Sequence, residues 1–181
     1  MSELPVALLD PLRRFRAMEE ERFIKCEPDE MPQLFRTLLV HTGDMTSKLE
    51  KQHSSKIGLE ILQSGRGEQG HYYREVVLRS IHTGEAVEYG AIEIFLEALP
   101  LRVQEEILAG QVPLGGLLNS HGVDYHSRPQ AFFRVHKEPS LCELLRVPLE
   151  KELYGRCNIL CTKDGGMLAR ILEVLPPVAE S

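Results

Sequence analysis

Apolar and polar positions alternate along Tyr72 to Ile81 and Ala86 to Leu96, and again along Leu153 to Thr162 and Met167 to Leu175. A period of two sends successive side chains to opposite faces, so each run predicts a strand. Turn residues join them in pairs, His82-Thr83-Gly84-Glu85 in one case and Lys163-Asp164-Gly165-Gly166 in the other, which predicts two hairpins. Ile57, Leu59 and Ile61 predict another strand before a flexible Ser64-Gly65-Arg66-Gly67 loop, and Ala131 to Val135 a short one. Helical spacing appears elsewhere. A charged lead to about Lys25 carries an apolar stripe of Leu8, Leu9, Leu12, Phe15 and Phe23, and Gln33 to Val40 follows the breaks at Pro28 and Pro32. Asp44 is the expected N-cap of a helix from Met45 to Gln52. Pro100 opens a helix over Leu101 to Leu108 that Gly110 closes. Val112-Pro113-Leu114-Gly115 enters a further short helix, and Ser140 to Leu145 forms one after Pro139. The pattern predicts an α+β domain, a single antiparallel β-sheet of about five or six strands with helices between the hairpins.

Two charges break this pattern. Arg74 shares a predicted face with Tyr72, Val76 and Leu78, and Glu173 shares one with Met167, Ala169, Ile171 and Leu175. An uncompensated buried ion costs several kcal/mol, so each must pair, hold a ligand or reach water. Pairing with each other or with other side chains, an edge strand with a wet second face, and an anion pocket all remain open. Arg170, on the opposite face from Glu173, is expected to snorkel to the surface. Turns at Gly43-Asp44-Met45, Tyr89-Gly90 and Pro113-Leu114-Gly115 offer backbone amides and close approach to an anion.

Composition narrows the choice. The 181 residues suit one domain, and 21 Lys and Arg against 27 Asp and Glu give a net charge of -6. That balance disfavours nucleic acid or an anionic membrane as partner. The start lacks the pattern of a signal peptide, and no apolar run approaches the ~20 residues of a membrane span, so a cytoplasmic protein is expected. Cys26, Cys142, Cys157 and Cys161 lack Cys-x-x-Cys spacing and are expected to be reduced thiols, with zinc at Cys157 and Cys161 disfavoured. His121 and His126 are further candidates for a site, while the strong catalytic signatures are missing.

Four segments in order then carry a resemblance: Gly43-Asp44-Met45-Thr46-Ser47-Lys48-Leu49-Glu50, Tyr73-Arg74-Glu75-Val76-Val77-Leu78, Val112-Pro113-Leu114-Gly115 and Leu172-Glu173-Val174-Leu175-Pro176. With these the chain resembles the chorismate lyase superfamily, in particular its 4-hydroxybenzoate synthetase-like branch, from about Leu38 to Pro177. The resemblance implies a chorismate lyase-like core over 38–177 preceded by a helical extension over 1–37. It implies a cofactor-independent and metal-independent chorismate pyruvate-lyase that releases 4-hydroxybenzoate and pyruvate. Arg74 takes the place of the carboxylate-binding arginine and Glu173 that of the glutamate implicated in elimination. Met45, Thr46, Leu114 and Gly115 fall where main chain meets the bound acid, and Gly90 aligns with a glycine at the site. The family's ubiquinone-pathway enzymes place an arginine after that glycine, where this chain has Ala91, and Arg128 is the candidate to compensate. The alternative function is a non-catalytic module of the same fold that binds or senses a small aromatic acid. Oligomeric state is left open.

Overall fold

The computed structural model describes residues 3–177. Seven strands form one antiparallel sheet: β1 (Phe23–Cys26), β2 (Ile57–Arg66), β3 (Tyr72–Ser80), β4 (Ala86–Ile94), β5 (His126–Val135), β6 (Leu153–Cys161) and β7 (Met167–Leu175). Their order across the sheet is β1-β5-β6-β7-β4-β3-β2, so the two predicted hairpins meet where β7 pairs with β4 at its centre. Six helices surround it: α1 (Asp10–Arg13), α2 (Gln33–Leu39), α3 (Met45–His53), α4 (Leu101–Ala109), α5 (Leu114–Ser120) and α6 (Pro139–Leu145).

The expected α+β class and central hairpins are present, with three differences. Phe23 to Cys26 is a strand rather than the end of a helical lead, because it pairs with Cys26↔Phe132 through Phe23↔Val135 on β5. This adds the seventh strand. The Ser64-Gly65-Arg66 stretch continues β2, in register with Arg74, Tyr73 and Tyr72, instead of forming a loop. The lead is a 3-10 turn over Val6–Leu9 followed by the single turn α1, since Pro5 and Pro11 break a longer helix. Gly110 ends α4 in the left-handed region at φ 68°, a conformation that a side chain disfavours.

Both faces of the sheet are covered. One packs on α2, α3, α4 and α5 around Leu49, Val76, Leu78, Ile92 and Leu118. The other packs on the lead and α6 around Leu9, Leu12, Phe23, Val77, Tyr89, Phe133 and Leu172. On that second face, buried Glu75 accepts hydrogen bonds from Arg16, from the Tyr89 hydroxyl at 2.6 Å and from Gln63 at 3.0 Å. Arg170 also works there. It bonds Glu93 at 3.0 Å and donates to the Ala7 carbonyl at 2.8 Å, which fastens the lead to the sheet. Among the described residues, no helix is long and apolar enough to cross a membrane.

Candidate binding site

The strand register aligns side chains into rows across the face that carries α2 to α5. In one row Arg74 lies across from Ile92, then Ile171, then Asn158. No carboxylate belongs to this row. Arg74 is 1% exposed, and neither its Nε nor its Nη1 has a hydrogen-bond partner. No ion pair reaches it among the described residues. Burial lowers its pKa to about 10, which leaves the guanidinium charged at neutral pH.

The next row places Val76 across from Gly90, then Glu173, then Arg156. Here Arg156 Nε donates to Glu173 Oε2, and Arg156 Nη1 donates to the Leu39 and His41 carbonyls, each at 3.0 Å. This corrects the idea that Arg74 and Glu173 pair with each other. Directly opposed residues on neighbouring strands sit ~5 Å apart, whereas β4 separates Arg74 from Glu173. Glu173 is thus neutralised by Arg156 of β6, which also holds the end of α2. His41, desolvated and beside Arg156, has its pKa lowered to about 4 and is uncharged at neutral pH.

Glu88, across from Leu78 on β4, completes the polar groups of this face. It is 5% exposed and its Oε2 has no hydrogen-bond partner. Burial and then the neighbouring Glu173 push its pKa well above the usual carboxylate range, partly offset by Arg156. Glu88 is therefore biased toward its protonated form, in which the carboxyl can donate as well as accept. Neither Glu88 nor Arg156 was anticipated as a site residue. Counting back from the hairpin turn puts Glu88 on the face of Leu78, Val76 and Arg74, which was the available signal.

Over these rows lies a cavity of about 50 Å³, several times the ~10–15 Å³ that one water needs. Leu59, Val76, Leu78, Ile92, Leu160 and Ile171 give it apolar walls, and Arg74, Glu88, Arg156, Asn158 and Glu173 face it. Met45, Thr46, Leu114 and Gly115 cover it, where the first turns of α3 and α5 meet. Asp44 fixes this cover. Its side chain accepts from the Ser47 amide at 2.7 Å and from Asn119 at 3.1 Å, while Tyr125 donates to Asn119 at 3.2 Å. Gly115 permits the contact, since a Cβ there would stand 3.2 Å from Asp44 Cβ. Gly90 lies in the floor beside the lining residues, and a Cβ on it would reach 3.1 Å from Val76 and 3.6 Å from Glu88.

Six of the eight anticipated residues, Arg74, Glu173, Met45, Thr46, Leu114 and Gly115, line this one cavity. Arg128 does not. It is exposed and lies across from Ile159, on the opposite side of the sheet from Asn158, so it cannot supply the positive group that Ala91 lacks. His121 bonds Glu106 at 2.9 Å away from the cavity, and His126 is exposed at the start of β5. The four cysteines are buried free thiols, and burial raises Cys157 to about 12.

No family profile matches the chain, and no curated protein matches it in sequence. Solved structures do share its fold. PhnF from Mycobacterium smegmatis superposes with a TM-score of 0.58 at 12% identity, over 75% of this chain and 64% of PhnF, so the chain spans less than two thirds of that protein. The effector domain of PhnF gives 0.55 at 12% identity, over 77% of this chain and 96% of the domain. A protein named only as a transcriptional regulator, from Streptomyces coelicolor, gives 0.50 at 11% identity, over 70% and 90%. The fold is shared with an effector domain and with a protein named as a transcriptional regulator. That finding overturns the expected chorismate pyruvate-lyase, together with its pyruvate-releasing and aromatic-acid-biosynthetic description.

Proposed function

We propose that this domain is a non-catalytic module that binds or senses a small organic carboxylate, with an aromatic acid as the first candidate. The observation that carries this reading is the Arg74 guanidinium, buried, charged and with two polar atoms unpartnered in an apolar cavity. A guanidinium matches a carboxylate through two parallel hydrogen bonds, which would supply both the missing partners and the missing charge. The ring would rest between the aliphatic floor and the cover, and Gly90 keeps the floor low beneath it. Met45, Thr46, Leu114 and Gly115 would close over it from α3 and α5. Glu173, already bound by Arg156, shapes the far wall. The effector-domain neighbour adds support at the level of fold. Ligand bound only by the folded state raises the melting temperature by mass action, so uptake has a direct readout.

Calorimetric and thermal-shift titration with benzoate and 4-hydroxybenzoate tests the reading. Saturable binding that weakens at least ~100-fold in Arg74→Met, while that variant stays folded, is expected from loss of a charge-assisted bidentate contact. Binding that ignores the substitution, or no binding of either acid, would refute it.

A further inference from the structure

The polar groups facing the cavity carry a definite charge. Arg74 is positive and unpaired, Arg156 and Glu173 cancel, and Glu88 is buried with an unpartnered oxygen. At the rim Asp44 adds a carboxylate, held by Ser47 and Asn119. With burial favouring the neutral form of Glu88, one added negative charge balances Arg74, and a second would stand uncompensated beside Glu88, Glu173 and Asp44.

Position matters as much as charge. Leu78, which faces Glu88 across the strands, is four residues along β3 from Arg74. At ~3.4 Å per residue the Cα atoms of Arg74 and Glu88 are roughly 14 Å apart on the same sheet face, and both side chains line the one cavity, toward opposite ends of it. Between them lie Val76, Gly90 and Ile92, none of which offers a polar side chain.

We propose that the cavity selects monocarboxylates bearing a neutral hydrogen-bonding group at the far end, and that Glu88 is the specificity-determining residue that contacts this group and rejects a second charge. The inference rests on the reading of Arg74 as the carboxylate ligand and adds the class of molecule that Arg74 alone leaves undefined. A hydroxyl satisfies the requirement, because Glu88 can accept its proton in a hydrogen bond or donate its own. A ligand without such a group leaves the buried oxygen of Glu88 unpartnered, and a site built for a hydroxyl discriminates against its absence. Dicarboxylates, chorismate among them, carry one charge too many.

Benzoate, 4-hydroxybenzoate and terephthalate serve as probes in parallel titrations at pH 7 of the wild-type protein, Glu88→Gln and Glu88→Leu. The wild type is expected to favour 4-hydroxybenzoate over benzoate by ~10-fold or more and to bind terephthalate at least ~100-fold more weakly than 4-hydroxybenzoate. Glu88→Leu should erase the hydroxyl advantage, in part by tightening benzoate, which no longer strands a buried oxygen, while Glu88→Gln should retain part of it. Terephthalate binding as tightly as 4-hydroxybenzoate, or a hydroxyl advantage that survives in Glu88→Leu, would overturn the selectivity while leaving the carboxylate site standing. Failure of all three probes on the wild type would remove both readings. The comparison of probes on the wild type needs no variant to fold.

Discussion

Two buried arginines on one sheet face have opposite energetic roles. Arg156 satisfies Glu173 and two carbonyls, so Arg156→Met orphans a buried carboxylate and should destabilise the fold by about 3–5 kcal/mol. Arg74 satisfies nothing in the free protein, so Arg74→Met should stabilise it by about 1–3 kcal/mol while ligand binding is lost. Urea denaturation of the two variants checks the contrast, and equal losses from both would contradict it. Glu88 yields a pH signature. Its folded-state pKa is raised, so from about pH 4.5 upward the folded state holds a proton that the unfolded state has released, and stability falls by about 1.4 kcal/mol per pH unit until Glu88 ionises. Glu88→Gln removes that slope. The variant should match the wild type most closely near pH 4 and gain on it as the pH rises above about 4.5 in paired denaturation curves, whereas a constant offset would show that Glu88 keeps an ordinary pKa. Arg74 and Glu173 were legible in the sequence because a charge in an apolar alternation is conspicuous. Glu88 and Arg156 were not, because Glu88-Tyr89-Gly90 and Gly155-Arg156-Cys157 look like strands with a wet polar face, and a local pattern cannot reveal that helices cover that face.

At the level of elements, glycine spacing sets how closely the strands and their cover approach. Gly155 on β6 is the tightest case, since a Cβ there would stand 2.3 Å from the Glu173 carbonyl oxygen and 2.5 Å from the Phe133 ring. Gly155→Ala must move β7 backbone or an interior ring, and a loss on the order of 3 kcal/mol is expected by chemical denaturation. Gly65→Ala, with open space around it, serves as the control and should cost far less. The long hairpins were readable because turn chemistry and alternation agree. β1 escaped because four residues are too few for a period, and its pairing partner lies more than a hundred positions away on β5.

The whole molecule is a sheet enclosed on two sides by chain drawn from different regions. The lead closes one face through Arg16, Arg170 and its leucines, and α2 to α5 close the other. This two-sided burial is why polar positions in the strands could not be assigned to solvent from sequence, and why the fold class was easier to foresee than the chemistry. The α3–α5 cover has a kinetic meaning as well. Tyr125, Asn119 and Asp44 are joined where α3 and α5 meet over the cavity, and if ligand passes between these helices it must wait for that seam to part. Association rates should therefore level off at high ligand concentration, at the opening rate of the seam, and Asn119→Ala should raise that ceiling and shorten residence time with little change in equilibrium affinity. A stopped-flow series that stays linear in ligand concentration would mean the door stands open. If it saturates, the domain holds a memory of past ligand for as long as the seam stays shut.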